Sequence, residues 1–166
     1  MNIEKVAVIG AGVMGSGIAA HIANAGVPVY LLDIVPKNAS NRNVIAESAI
    51  AKMLKTAPHS FMHKKNARLV TPGNIEDDLG KLDQVDWVIE AVIENPAIKQ
   101  ALYQKLAKIC QPDTLISSNT STLPLSILTD KQSDSFKRRF MITHFFNPPR
   151  YMRLLEMVAP AELEPN

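Results

Sequence analysis

Lys5-Val6-Ala7-Val8-Ile9-Gly10-Ala11-Gly12-Val13-Met14-Gly15 stands near the start of the chain, and Val29-Tyr30-Leu31-Leu32-Asp33 follows it. These two stretches decide the fold. Lys5 to Ile9 is a short apolar run rich in β-branched residues, as expected of a strand buried in a parallel sheet. Met14, Ile18, Ala19, Ile22 and Ala23 then recur at helical spacing, and Gly26 closes that helix. Val29 to Asp33 reads as a second strand.

At the junction of the first strand and helix, Gly10-Ala11-Gly12-Val13-Met14-Gly15 satisfies G-x-G-x-x-G. The pattern alone is weak. Here it follows a strand, opens a helix and precedes Asp33 by about the 20 residues that a dinucleotide fingerprint requires. Gly10 permits a tight turn, Gly12 lets a pyrophosphate approach the backbone, and Gly15 lets helix and strand pack closely. Val13 and Met14 begin the helix, whose free N–H groups and partial positive charge suit phosphates. Asp33 would accept hydrogen bonds from the adenosine ribose and repel a 2′-phosphate. Ile34 follows it and no arginine stands beside it, so NAD is favoured over NADP. A glycine turn serving only packing is the plainer reading, and the joint spacing weighs against it. Flavins use the same fingerprint and stay open on these residues alone.

Outward from this unit, strands and helices keep alternating. Val44 to Lys55 reads as a helix, His59 to Ala67 as a short one, and Leu69-Val70-Thr71 as a brief third strand. Asp86 to Val92 is a fourth strand, with Trp87 packing at its start. Pro96 begins a helix with Ile98, Leu102, Leu106 and Ile109 on its buried face. Thr114 to Ser117, Arg139 to Phe145 and Leu154 to Val158 complete seven strands. The alternation implies an α/β, doubly wound, mostly parallel sheet with helices on both faces, of Rossmann type. Residues 1–158 form this domain, and the proline-bearing tail 159–166 reads as a linker.

The 166 residues suit one domain or one plus a fragment. A domain of this size buries roughly 68–70% of its unfolded surface and needs no staple. Cys110 is the only cysteine, which excludes an internal disulfide and fits a reducing compartment. It ends an apolar helix and is expected to be buried and inert. The net charge of +2 is too small to argue for nucleic acid, and Lys137-Arg138-Arg139 reads as a solvated loop. Val6 to Leu32 is apolar enough to suggest a signal peptide or membrane helix, but its glycines, Pro28 and terminal Asp33 punctuate it as strand, turn, helix and strand. Met1 leaves no room before the first strand for a transit peptide, so a cytoplasmic location without membrane contact is expected. His59 and His63 have a metal-compatible helical spacing but no evident third ligand, so no metal is expected.

Four blocks now combine. Gly10 to Asp33, Glu90-Ala91-Val92-Ile93-Glu94-Asn95, Ser117-Ser118-Asn119-Thr120-Ser121, and Ile142-Thr143-His144-Phe145-Phe146-Asn147-Pro148-Pro149 with Met152 and Leu154-Leu155-Glu156 resemble the 3-hydroxyacyl-CoA dehydrogenases of fatty-acid β-oxidation. The resemblance spans almost the whole chain, in order. Its chemistry suits the residues: oxidising a secondary alcohol needs a base near neutral pH, which histidine provides, and a hydride acceptor. The resemblance implies that His144 is the base and that Glu156, twelve residues on and on a returning strand, orients it. Taken singly, His144 would more often be structural and Glu156 a surface charge.

The resemblance further implies that Ser121 contacts both substrate and nicotinamide, and that Asn147 holds the 3-oxygen or the nicotinamide. It places Glu94 and Lys99 against the cofactor. Without it, the Ser-Asn-Thr-Ser run is a turn or cap, Glu94 a solvated carboxylate and Lys99 a surface lysine. Ser48 and Lys55, seven residues apart and so expected on one helix face, match positions that touch coenzyme A; a solvated face is the alternative. The implied activity is oxidation of L-3-hydroxyacyl-CoA by NAD. A sugar-acid 3-hydroxy dehydrogenase of the same superfamily is the second reading, and Phe145-Phe146 after His144 favours the acyl-CoA branch. Family members carry a further helical domain, which nothing in this chain matches. The isolated chain is therefore expected to bind NAD and turn over poorly, as a non-catalytic module would. The parent is expected to be a homodimer or part of a multifunctional β-oxidation enzyme.

Overall fold

Val6, Ala7, Val8 and Ile9 are all buried, so β1 (Val6–Ile9) is covered on both faces, as its unbroken apolar run requires. The structure is a computed structural model and describes residues 2–160. After β1 come α1 (Val13–Asn24), β2 (Val29–Asp33), α2 (Val44–Met53), β3 (Val70–Asn74), β4 (Trp87–Glu90), α3 (Pro96–Ile109) and β5 (Leu115–Ser118). Two short helices, α4 (Leu125–Thr129) and α5 (Asp134–Lys137), lead to β6 (Phe140–Phe145) and β7 (Leu155–Val158). The sheet has seven strands in the order β3-β2-β1-β4-β5-β6-β7. All neighbours run parallel except β7, which returns antiparallel to β6. The order reverses between β1 and β4, the switch point at which open α/β sheets bind ligands.

Alternate residues of each strand feed two cores. Val6, Val8, Val29, Leu31 and Ile89 pack with α1 and α2, while Ala7, Ile9, Leu32, Val88 and Ile116 pack with α3. Each fully buried leucine or isoleucine contributes about 1.5–3 kcal/mol. Tyr103, Phe136 and Phe140 fill the α3 side with ring centroids 5.0–5.8 Å apart.

Several sequence expectations are corrected. The segment from His59 to Ala67 is not a helix; only a 3₁₀ helix spans Lys64–Leu69. Its backbone is claimed from elsewhere: Arg150 donates to the carbonyls of His59 and Phe61, and Asn24 bonds the Ser60 carbonyl and the Met62 N–H. The third strand runs through Pro72 and Gly73, because β3 is an edge strand and tolerates a missing donor. On α3, Ile98 is exposed at 46%, and the buried stripe is Lys99, Leu102, Tyr103 and Leu106. Lys137 ends α5, and Arg139 donates to the Gln111 carbonyl with its guanidinium over the Phe136 ring, so the basic run is not simply a solvated loop. Cys110 is buried, which pushes its thiol up to about 11. Trp87 packs against the α1 side and donates to Ser117 Oγ at 3.0 Å. Of the tail 159–166, residues 161–166 lie outside the described residues. No helix among those described is long and apolar enough to cross a membrane.

Candidate functional site

The glycine turn lies at the carboxyl end of β1. Gly10 has φ +104°, and an added Cβ would sit 2.4 Å from the Ala91 carbonyl oxygen. A Cβ on Gly15 would meet the Gly10 carbonyl oxygen at 1.8 Å, so this glycine sets the approach of α1 to β1. A Cβ on Gly12 would meet nothing within 4 Å. Packing therefore demands glycine at Gly10 and Gly15 but not at Gly12, where open space remains over the helix start. Gly12 is the N-cap of α1 and makes no side-chain cap bond, so no side chain of its own covers the first N–H groups, those of Val13 and Met14. Asp33 ends β2, and its carboxylate accepts from Ala11 N at 2.5 Å and Ile34 N at 2.6 Å. These features fit a dinucleotide: an open glycine, a free helix N-terminus and a fixed carboxylate beyond the next strand.

A cavity of about 510 Å³ extends from this turn. Gly12, Val13, Ser48, Lys52 and Asn147 are among its lining residues. Ser48 thus reaches the cavity, whereas Lys55 does not line it. α2 ends at Met53, so the two residues share no continuous helix face. Lys52, one turn after Ser48, takes the place expected of Lys55, and helical spacing from Ser48 could have indicated it. Asn147 is brought over α1 by its neighbours, with Pro149 packed beside Gly17 and Arg150 tied to the His59 and Phe61 carbonyls. A larger hollow of about 660 Å³, lined by Asp83, Asp86 and Asp113, lies at the amino-terminal ends of β4 and β5, away from the ends at which such sheets bind ligands.

His144 and Glu156 face each other across β6 and β7 as direct Cα partners, and His144 Nδ1 lies 2.8 Å from Glu156 Oε2. With the carboxylate ionised and the imidazole neutral, Nδ1 carries the proton and Nε2 is left as an acceptor. The His144 side chain is 20% exposed, and its ring lies 4.5 Å from that of Phe146. The sequence pairing of these two residues therefore rests on strand register.

The fourth strand ends in a buried charge cluster. Glu90, with no exposed surface, accepts from Lys99 Nζ at 2.7 Å, Tyr103 OH at 2.5 Å, Ser118 Oγ at 2.7 Å and Val92 N at 2.7 Å. Lys99 is equally enclosed and also reaches Glu94 Oε2 at 3.2 Å. It is not a surface lysine, and from this position it meets a ligand only through Glu94. Burial and the neighbouring Glu90 push the Tyr103 hydroxyl far above the ordinary phenol value. Glu94 accepts from Thr120 Oγ1, and from Thr122 Oγ1 at 3.2 Å. Its partial burial opposes ionisation, but the Thr120 bond and the Lys99 ammonium outweigh that and hold its carboxyl below the ordinary value. Ser121 is exposed between these two threonines. Sequence reading missed Glu90; the signal was a carboxylate inside the apolar run Trp87-Val88-Ile89-Glu90-Ala91-Val92.

Comparison with known proteins agrees with this fold and with a dinucleotide at its glycine turn. The family described as "3-hydroxyacyl-CoA dehydrogenase, NAD binding domain" matches residues 5–166. A Deinococcus radiodurans protein named "Probable 3-hydroxyacyl-CoA dehydrogenase" is 48% identical over 165 residues, which is 99% of this chain and 48% of that protein. A Rickettsia felis protein bearing the name of a fatty acid oxidation complex trifunctional enzyme is 47% identical over 157 residues, 95% of this chain and 22% of that one. The crystal structure of 3-hydroxybutyryl-CoA dehydrogenase from Escherichia coli K12 superposes with TM-score 0.78 at 29% identity, covering 98% of this chain and 34% of that chain. The chain thus spans at most about half the length of these relatives.

Proposed function

The chain belongs to the NAD-binding domain family of the 3-hydroxyacyl-CoA dehydrogenases, and from that premise we propose that it serves the oxidation of a 3-hydroxyacyl-CoA to the 3-ketoacyl-CoA. The single observation that carries this reading is the His144–Glu156 pair, 2.8 Å apart, with His144 towards the carboxyl end of β6, on the same edge of the sheet as the glycine turn after β1. Bound NAD would supply the hydride acceptor.

The chain's own residues do the rest. Gly10, Gly12, Val13, Met14 and Gly15 would hold the pyrophosphate, and Asp33 the adenosine ribose. Ser48 and Lys52 would flank the coenzyme A portion in the cavity they share with Asn147. Glu94, anchored by Lys99, would border the nicotinamide end. Nε2 of His144 takes the proton of the 3-hydroxyl as the C–H bond yields its hydride. Glu156 keeps that nitrogen free and stabilises the imidazolium that forms. Ser121 and Asn147 orient the reacting oxygen. Residues 1–158 would make up the domain; the relatives are longer, and in a longer protein further residues would complete the substrate cleft.

The test uses the full-length protein. His144→Gln is expected to lower kcat by about 10²–10⁴-fold, the usual worth of general acid–base help, with NAD affinity unchanged. Retained turnover would remove His144 from the reaction.

A further inference from the structure

β5 and β6 pair only as far as Ser118 opposite Ile142. β6 nevertheless runs on to Phe145, so His144 lies in an overhang. On one side the overhang pairs with β7, every residue of which is exposed. On the β5 side it is held by side chains. Thr143 Oγ1 donates to Ser117 Oγ at 2.8 Å, and the Phe145 N–H donates to Asn119 Oδ1 at 2.9 Å.

Asn119 is itself fixed. Its N–H donates to the Glu90 carbonyl at 2.7 Å, extending the β4–β5 ladder one residue past the pair Glu90 and Ser118. The next residues, Thr120 and Thr122, are held by Glu94, and Ser121 sits between them. Asn119 therefore joins the Ser121 loop to the strand that carries His144. Its amide oxygen accepts the N–H that a strand carbonyl would have accepted had the β5–β6 ladder continued.

We infer that Asn119 is a positioning residue for the oxidation proposed above, on which this inference rests. It sets the spacing between Ser121 and His144 through its side-chain hydrogen bond to Phe145, the tie beyond His144 that complements the Thr143–Ser117 bond before it. Removing the acceptor leaves the Phe145 N–H without its partner and frees the end of β6 to shift. A misplacement of about 1 Å at reacting groups costs on the order of 10²-fold in rate.

The experiment compares Asn119→Ala, Asn119→Leu and Asn119→Asp in the full-length protein, after melting temperatures establish which variants fold. Leu keeps volume without an acceptor; Asp keeps an acceptor oxygen at the same reach. The expected result is a fall in kcat of about 10²-fold for Ala and Leu, with KM for the acyl-CoA and NAD affinity unchanged. Asp is expected to recover most of the loss. If Ala does not fold, the Leu and Asp pair decides. Wild-type kcat in Leu, a loss confined to KM, or no recovery in Asp would each overturn the inference. Failure of the underlying reading shows separately, as a wild-type protein that does not oxidise 3-hydroxyacyl-CoA or a His144→Gln variant that keeps its turnover.

Discussion

Replacing Lys99 with methionine removes the ammonium that faces Glu90 while keeping a long unbranched side chain. Both members of this pair have no exposed surface, so solvent does not screen their interaction. Breaking a buried ion pair by removing one partner costs about 3–5 kcal/mol, because the other charge is left uncompensated. Glu90 would still accept from Tyr103, Ser118 and the Val92 N–H. That residual solvation points to the lower end, about 3 kcal/mol. For a domain of this size each kcal/mol moves Tm by about 2–4 °C, so Tm should fall by roughly 6–12 °C. Trp87, the only tryptophan, opens the strand that ends in Glu90 and bonds Ser117, so its fluorescence reports unfolding in urea at the relevant place. The double variant Glu90→Gln with Lys99→Met removes both charges and should regain at least about 1.5 kcal/mol over the sum of the single losses, within the range of coupling for contacting residues. A Lys99→Met cost below about 1 kcal/mol, the level of an exposed pair, or strict additivity in the cycle would refute the account of Lys99 as the internal counter-charge.

Other tests separate packing from binding and probe the alkaline limb. Gly15→Ala drives a methyl into the Gly10 carbonyl and should destabilise the fold, whereas Gly12→Ala has open space and should keep the wild-type melting temperature while weakening NAD binding, measured by calorimetry on the chain. Equal melting losses for the two would contradict the geometry. Burial raises the Cys110 thiol to about 11, above the usual cysteine value of about 8.5, and raises the Tyr103 hydroxyl further. The native state therefore keeps protons that the unfolded chain releases. Stability should be full below about pH 8.5 and fall as pH rises towards 11. Urea midpoints across this range should show the decline, and Cys110→Ala should remove the part below about pH 10, where a normal tyrosine has not yet ionised. An unchanged decline in that variant would assign it elsewhere.

The sequence was most legible where cause and effect are local. Gly10 to Asp33 is one continuous strand, turn, helix and strand, so each glycine's task follows from its neighbours, and the backbone bears out the strain at Gly10 and the crowding at Gly15. His144 and Glu156 were legible as a pair because an antiparallel return places them as direct partners on adjacent strands. The failures have a common physical origin in partners remote along the chain. On α3, both Ile98-Leu102-Leu106-Ile109 and Lys99-Leu102-Tyr103-Leu106 satisfy helical spacing. Hydrophobicity chose the first; the sheet chose the second, because Glu90 at the end of β4 supplies a charge for Lys99 and an acceptor for Tyr103. Without the resemblance Lys99 reads as a surface lysine, and nothing local marks Tyr103 as buried, until that carboxylate is placed beneath them. The face expected for Ser48 and Lys55 failed for a similar reason: nothing between Val44 and Lys55 marks a stop, yet the helix ends at Met53 as the chain turns towards the segment that Arg150 and Asn24 hold. The run Ser118 to Ser121 reads as a turn or cap from its composition, and Ser118, Asn119 and Thr120 do cap. What they cap is the β6 overhang at Phe145 and the carboxylates of Glu90 and Glu94, all outside the local segment. The polar residues that read as ordinary surface are therefore the ones that join β4, β5 and β6 beneath the candidate site.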